Sequence, residues 1–141
     1  MIRAADVEDI PALLVMAQAF IEQAYGRASV PYDEASCRDL LTGLIEQEGG
    51  ILLTNLDRTG MLGVVVHPWH FNRNIKTATE LFWWGKDALE MHTRAEEMAF
   101  ELGAATMHMA SQEHMRSKAL CRLYRMRGYE LSENIYIKRI A

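Results

Sequence analysis

The sequence predicts an α/β protein with a mixed central β-sheet flanked by helices. Two observations carry this prediction: two amphipathic helical patterns follow a short first strand, and the C-terminal half twice reads strand–helix–strand. Strands joined through a helix run parallel, whereas those joined by a tight turn run antiparallel, so both kinds of pairing are expected. At 141 residues, half of them apolar, the chain suits a single domain spanning residues 1–141.

The N-terminal half begins with a short strand at residues 2–4. Asp6 or Asp9 is expected to cap a first helix, in which apolar residues recur at helical spacing from Ile10 to Ala24. Residues 26–32 are predicted to form a loop. Asp33 then caps a second helix, which Gly49 and Gly50 end.

Three strands are predicted in the middle of the chain. Residues 51–54 and 61–66 are short apolar runs around a turn at residues 57–60, the pattern of a β-hairpin. Pro68 is expected to end the second of these strands, since proline cannot donate to a ladder. A loop at residues 69–76 and a third strand at residues 77–84 follow.

The C-terminal half supplies two helices and two further strands. Asp87 is expected to cap a helix from Ala88 to about Leu102, and strand 105–110, helix 118–127 and strand 133–140 follow. In the last segment, Ile135 and Ile137 alternate with Tyr136 and Lys138. The predicted order is β-α-α-β-β-β-α-β-α-β.

Charge and composition exclude several classes of protein. The net charge of −4 is too acidic for a general nucleic-acid binder, although residues 105–141 carry seven basic and three acidic side chains. No membrane span or signal peptide is visible, and the two cysteines do not form a disulfide framework, which predicts a cytoplasmic protein. Hydrolase and nucleotide-triphosphatase motifs are absent from the sequence.

Several local motifs, in this order, resemble the GCN5-related N-acetyltransferase (GNAT) superfamily. The first helix begins ADVEDIPAL at residues 5–13, and the last helix ends LYRMRGY at residues 123–129, similar to the family's LY-x-x-x-G-F/Y helix end. The segment ELFWW at residues 80–84 resembles phage- and prophage-encoded members. The resemblance covers nearly the whole chain.

The resemblance implies an acyl-CoA-dependent N-acyltransferase, with acetyl-CoA as cosubstrate and a primary amine as acceptor. Such a reaction needs a base to take the ammonium proton and an acid to protonate the leaving thiolate. Glu80 lies on the strand where some members carry the base, and Tyr124 matches the family's usual tyrosine. Alternatively, Glu80 is a strand residue that faces solvent, and Tyr124 is a core residue of an amphipathic helix.

The resemblance places the cofactor-binding residues at the end of the predicted strand 77–84 and near the starts of the two helices that follow it. They are Phe82, Trp83, Trp84, Gly85, Lys86, Ala88 and Ser117. The family's phosphate-binding loop is shortened here to one glycine and one lysine, and Asp87 and Glu90 add negative charge. Ser117 stands where an asparagine is usual. We therefore expect weak acetyl-CoA binding, with Lys86, Arg122 and Arg125 as the compensating cations.

Trp69, His70 and Phe71 are predicted to contact the substrate from a loop or to form an aromatic contact patch. His67 and His70 lack the spacing of a zinc site and a third ligand, so no metal is predicted. The acceptor is expected to be a small-molecule or protein amine, and a homo-oligomer is possible. The alternative function is a catalytically degenerate GNAT-fold protein used for binding or virion assembly.

Overall fold

The computed structural model describes residues 1–25, 30–113 and 115–141, so most of the predicted loop 26–32 lies outside the described residues. A short 3₁₀ turn, Val7–Asp9, separates the first strand from the first helix. The strands are β1 (Ile2–Ala4), β2 (Gly50–Asn55), β3 (Gly60–Trp69), β4 (Asn72–Gly85) and β5 (Ala104–His108). The helices are α1 (Ile10–Ala24), α2 (Glu34–Glu46), α3 (Ala88–Glu101) and α4 (Ser117–Met126).

In the described chain, the strands form one sheet in the order β1-β2-β3-β4-β5. The first three pairings are antiparallel. The fourth, between β4 and β5, is parallel, because the chain crosses from one strand to the other through α3. The mixed sheet and the predicted order of elements are confirmed as far as α4.

Helices cover both faces of this sheet. Apolar residues of α1 and α2, among them Leu13 and Leu41, pack with Leu52 and Phe82 on one face. Met91, Ala95 and Ala99 of α3 pack with Leu53 and other sheet residues on the opposite face. Each of these three helices thus buries one apolar stripe, as its sequence period predicts.

The structure confirms the predicted N-terminal cap of α2 but not that of α1. The Asp33 carboxylate accepts a hydrogen bond from the Ser36 amide at 2.9 Å, which confirms it as the cap of α2. Asp6 caps the 3₁₀ turn by accepting from the Glu8 amide. Asp9, fully buried, makes no cap to α1 because its carboxylate binds the guanidinium groups of Arg3 and Arg58.

The predicted loop at residues 69–76 is wrong. Strand β3 continues to Trp69 and β4 begins at Asn72, so the two form one long hairpin whose turn is His70 and Phe71. Pro68 does not end β3, because the strand continues to Trp69; the register of its pairing with β4 shifts between these two residues. Proline is tolerated at such irregular positions.

The predicted strand at residues 133–140 is also wrong in this structure. Residues 129–141 contain no strand or helix, and Ile135, Tyr136 and Ile140 are more than four-fifths exposed. The alternating pattern alone does not make a strand, because a strand needs a neighbouring edge to satisfy its backbone groups. Separately, none of the helices in the described residues is long and apolar enough to cross a membrane.

Candidate active site

Strands β4 and β5 pair only along part of their length. The last paired residues are Thr79 and His108, after which β4 continues to Gly85 while the chain leaves β5. The strands are parallel, and their pairing ends where β5 ends. A small pocket lies beyond this point, lined by Phe20, Glu80, Trp83, Ala110, Gln112, Met115 and Leu120.

Ala110 joins the two residues predicted to be catalytic. The Tyr124 hydroxyl donates a hydrogen bond to the Ala110 carbonyl oxygen at 2.6 Å. The Ala110 backbone lies close enough to the Glu80 carboxylate to lower its pKa. Ala110, which follows β5, therefore contacts both the Glu80 side chain from β4 and the Tyr124 side chain from α4.

The environment of Glu80 favours a carboxyl group that titrates near neutrality. Burial raises its pKa to about 7, because the charged form loses its hydration, and the nearby Ala110 backbone only partly opposes this rise. The Glu80 charge in turn helps to raise the pKa of Tyr25, after the larger effect of burial. A group with a pKa near the working pH is suited to general-base catalysis.

Tyr124 is held as a neutral phenol. It is buried, and burial together with the charge of Glu80 raises its pKa above the ordinary value of 10. A neutral phenol retains its proton at pH 7 and can donate it. The pair therefore combines a carboxylate that can accept a proton with a hydroxyl that can give one.

The three aromatic residues at the end of β4 divide between core and pocket. Phe82 is buried among α1 and α2, and Trp84 packs edge-to-face on Phe20. Trp83 lines the pocket and stacks on His92, with ring centroids 5.4 Å apart. Its indole N–H is buried with no hydrogen-bond partner among the described residues. Such a donor is costly unless a ligand or water accepts from it.

The connection from β4 to α3 consists of Lys86 and Asp87. Gly85 has φ +92°, and a Cβ there would lie 2.2 Å from the Thr59 carbonyl oxygen, so glycine is required by the close approach of the two turns. Lys86 is exposed, its amide donates to the same oxygen, and Ala88 begins α3.

The prediction that Asp87 caps α3 is wrong. Asp87 occupies the N-cap position with φ +57°, but its side chain makes no capping bond. Its carboxylate instead accepts a hydrogen bond from the Asn55 amide at 2.9 Å. The side-chain amide oxygen of Asn55 also accepts from the amides of Thr59 and Gly60, which fixes Asn55 in the β2–β3 turn. The first amides of α3 are consequently free of the Asp87 side chain.

Ser117 begins α4, and its hydroxyl accepts a hydrogen bond from Ser111 at 3.2 Å. Ser111 also accepts from the thiol of Cys121. These bonds tie the start of α4 to the segment that follows Ala110. Ser117 thus supports the geometry near the pocket without lining it.

The predicted substrate-contact residues lie elsewhere. Trp69 and Phe71 contact each other edge-to-face at the tip of the β3–β4 hairpin, and His70 lies beside His67. Glu80 lies eight positions after Asn72 along β4, a span of about 26 Å at strand geometry. The structure therefore does not bring Trp69, His70 and Phe71 to the pocket.

Sequence reasoning missed two contributors. Ala110 acts through its backbone, for which the sequence carries no signal. His92 is fully buried, with Nδ1 2.7 Å from Arg127 Nη1 and Nε2 3.0 Å from the Tyr129 hydroxyl. From the sequence, His92 could equally pack in the core or lie at the surface. Among the described residues, no cluster of three or more histidine, cysteine or acidic side chains could hold a metal ion.

In sequence, the chain matches no family model and no curated protein. Solved structures do share its architecture. A transcriptional regulator from Bacillus halodurans superposes with a TM-score of 0.75 at 20% identity, covering 98% of this chain and 97% of that chain. An aminoglycoside acetyltransferase from an uncultured soil metagenomic sample, in complex with trehalose, gives 0.69 at 12% identity, covering 98% and 95%.

A third structure is the ribosomal-protein-alanine N-acetyltransferase from Brucella melitensis biovar Abortus. Its TM-score is 0.69 at 11% identity, covering 100% of this chain and 99% of that chain. Coverage near the full length of both chains means that the similarity extends over the whole architecture. The chain has the GNAT fold, a mixed sheet flanked by helices.

Proposed function

We propose that this protein is an acyl-CoA-dependent N-acyltransferase that moves an acetyl group from acetyl-CoA to a primary amine. The observation that carries the proposal is the convergence of Glu80 and Tyr124 on Ala110, where the pairing of β4 and β5 ends. A carboxyl group with a pKa of about 7 and a phenol that keeps its proton therefore both lie against Ala110. The acetyltransferases of the same fold support this general chemistry.

One structural observation supports a site for the thioester end of acetyl-CoA at the pocket. Trp83 lines the pocket, and its indole N–H is buried without a hydrogen-bond partner among the described residues. This donor suits an acceptor such as an amide or thioester carbonyl oxygen. At the phosphate end, the amides that begin α3 and the Lys86 side chain are the candidate partners. Arg122 and Arg125, exposed on α4, are further cations.

Acetyl-CoA, when bound, supplies an activated acyl carbon and a thiolate leaving group. Glu80 takes a proton from the acceptor ammonium, which gives the amine a free electron pair. As the new C–N bond forms and the C–S bond breaks, the Tyr124 hydroxyl gives its proton to the sulfur. The Glu80 proton passes to solvent, the second proton of the acylated nitrogen restores the Tyr124 hydroxyl, and Ala110 holds both groups in position.

A second function, binding without catalysis, is favoured by one observation. Asp87 and Glu90 bring negative charge to the start of α3, where the phosphates of the cofactor would lie. A catalytically degenerate protein used in assembly, including the phage or virion role suggested by residues 80–84, would tolerate this charge. In that case no acyl donor would bind.

An assay of thiol release distinguishes the two functions. The purified protein is incubated with acetyl-CoA and, in turn, a polyamine, an aminoglycoside and a peptide with a free N-terminus. We expect amine-dependent release of CoA thiol with at least one acceptor class, and acetyl-CoA binding by calorimetry. The absence of binding at millimolar acetyl-CoA, with no thiol release, would reject the enzyme and favour the binding protein.

A further inference from the structure

The pocket beyond the end of the β4–β5 pairing has one charged side chain among its described lining residues. This side chain is the carboxylate of Glu80. Gln112 adds a neutral amide, and the remaining lining residues are apolar or aromatic: Phe20, Trp83, Ala110, Met115 and Leu120. A ligand that enters the pocket therefore meets a single carboxylate surrounded by hydrocarbon and aromatic carbon.

Aromatic rings form the side of the pocket that α1 contributes. Phe20 of α1 is almost completely buried, and its ring lies edge-to-face with two neighbours. The ring centroids are 6.2 Å apart for Tyr25 and 6.4 Å apart for Trp84. Trp83 lines the same pocket from β4. Aromatic rings pack against hydrocarbon and also attract an ammonium group.

The charge of Glu80 stands alone in this part of the described structure. Burial raises the pKa of Glu80 and the Ala110 backbone opposes the rise, whereas no charged side chain contributes. Burial and then the Glu80 charge raise the pKa of Tyr25, with no further charge involved. For Tyr124, burial again raises the pKa most, and among the described carboxylates Glu80 alone adds to it. The described residues thus place neither a second carboxylate nor a cation beside Glu80.

A single carboxylate in apolar surroundings favours an acceptor that carries a single charge. Glu80 attracts the ammonium group that it later deprotonates. A second ammonium group held in the pocket would lie against apolar carbon without a counter-ion. A carboxylate on the acceptor would lie near Glu80 without a cation to bind it. Both groups would lose hydration without compensation, which is costly.

We propose that the acceptor is a monoamine with an apolar body, an alkylamine or arylalkylamine, in preference to a polyamine, an aminoglycoside or an amino acid. This inference rests on the proposed acyl transfer and specifies its second substrate. The ammonium group pairs with Glu80, while Phe20, Met115 and Leu120 contact the hydrocarbon. The Trp83 indole N–H stays available to the thioester carbonyl oxygen. Amines with additional charges react more slowly.

The test compares amines that share one carbon chain and differ only at its far end. Butylamine ends in a methyl group, diaminobutane in a second ammonium group and aminobutyrate in a carboxylate. Release of CoA thiol is measured with the full chain at a fixed, saturating concentration of acetyl-CoA. We expect kcat/KM for butylamine to exceed that for each of the other two by at least about tenfold.

A substitution in the pocket should change this preference in a predictable direction. Gln112→Glu adds a second carboxylate at a half-buried lining position with almost no change in shape. The second ammonium group of diaminobutane then gains a counter-ion, so its kcat/KM relative to butylamine should rise at least about fivefold. Gln47→Glu, the same change at an exposed position after α2, is the control and should leave the ratio unchanged. Circular dichroism reports whether both variants are folded.

The outcomes separate this inference from the function on which it rests. Thiol release that is as fast with diaminobutane or aminobutyrate as with butylamine would overturn the monoamine preference and leave acyl transfer standing. A ratio that Gln112→Glu does not change would overturn the role assigned to the charge of the pocket. If no amine releases thiol, the proposed function fails, and the inference fails with it.

Discussion

Arg127 donates a hydrogen bond to Nδ1 of His92 at 2.7 Å. Because arginine can only donate, Nδ1 must be unprotonated, so His92 is neutral and carries its proton on Nε2. That proton is directed to the Tyr129 hydroxyl at 3.0 Å. Protonation of His92 would therefore break the bond to Arg127 and leave two cations in contact.

This arrangement predicts a loss of stability in acid. Burial and the charge of Arg127 lower the pKa of His92 below 6.5, although Glu96 opposes the shift. The unfolded chain then binds the proton more tightly than the folded protein, so the free energy of unfolding falls as the pH drops below about 6.5. His92→Gln should flatten this dependence between pH 5 and 7 in urea titrations. His108→Gln, at an exposed position, should leave it unchanged.

Glu80 predicts the opposite dependence. Its pKa of about 7 lies above the usual 4.5, so the folded protein binds this proton more tightly and loses stability as the pH rises from about 4.5 through 7. Glu80→Gln should therefore raise the free energy of unfolding at pH 8 by at most about 3 kcal/mol, and by much less at pH 4.5. Thermal melts at both pH values measure the difference.

The same substitution should abolish the pH dependence of catalysis. In the wild type, kcat/KM should rise through pH 7 as Glu80 becomes a carboxylate, whereas Glu80→Gln should lose this inflection together with about 10²-fold or more of the rate. Glu97→Gln, an exposed glutamate in the middle of α3, serves as the control. An identical pH profile in the Glu80 variant would remove it from the mechanism.

Tyr124→Phe separates the chemical role of the hydroxyl from its structural one. The Ala110 carbonyl oxygen loses its 2.6 Å donor, which should lower the free energy of unfolding by about 1 kcal/mol. If the hydroxyl protonates the thiolate, kcat should fall about 10²-fold, a much larger effect than the stability loss explains. Tyr136→Phe is the matched exposed control. Equal kcat in wild type and Tyr124→Phe would assign the tyrosine to packing.

Asp87→Asn tests the proposed binding of the acetyl-CoA phosphates at the start of α3. Asparagine can still accept from Asn55, so the turn is retained while one negative charge is lost. We expect acetyl-CoA to bind about 2–5-fold more tightly at low salt, because a charge at a helix N-terminus is worth about 0.3–1 kcal/mol. The gain should shrink at high salt. Glu101→Gln, at the other end of α3, should have no effect in the same calorimetric titration.

Asp9 should be the most sensitive acidic residue for folding. Its buried carboxylate accepts two bonds from Arg3, at 2.7 and 2.8 Å, and one from Arg58, and it thereby joins β1, the 3₁₀ turn and the β2–β3 turn. These bonds hold its pKa well below 3.8. Asp9→Ala should cost about 3 kcal/mol in urea denaturation at pH 7, since two arginines lose their partner. Asp39→Ala, on the exposed face of α2, should cost much less.

The sequence predicts best what is determined locally. The Asp33 cap depends on one side chain and an amide three residues away, and the structure confirms it. The long β3–β4 hairpin and the unpaired residues 133–140 depend instead on which edges meet, which alternation cannot specify. Glu80 and Tyr124 could be named from a resemblance. Ala110 could not, because a backbone group that becomes functional through tertiary placement has no signature in its side chain.

The order of strands also has a kinetic consequence. From β1 to β4, each strand pairs with the next in sequence, and the β3–β4 pair closes through a two-residue turn. Pairing β4 with β5 closes a loop of almost thirty residues through α3, with Lys76 opposite Ala104. Longer loops cost more entropy to close, so this pair should form later and open more readily than the hairpin. Amide exchange should be faster in β5 than in β3, and the cleft that holds Ala110 should be the last part of the sheet to assemble.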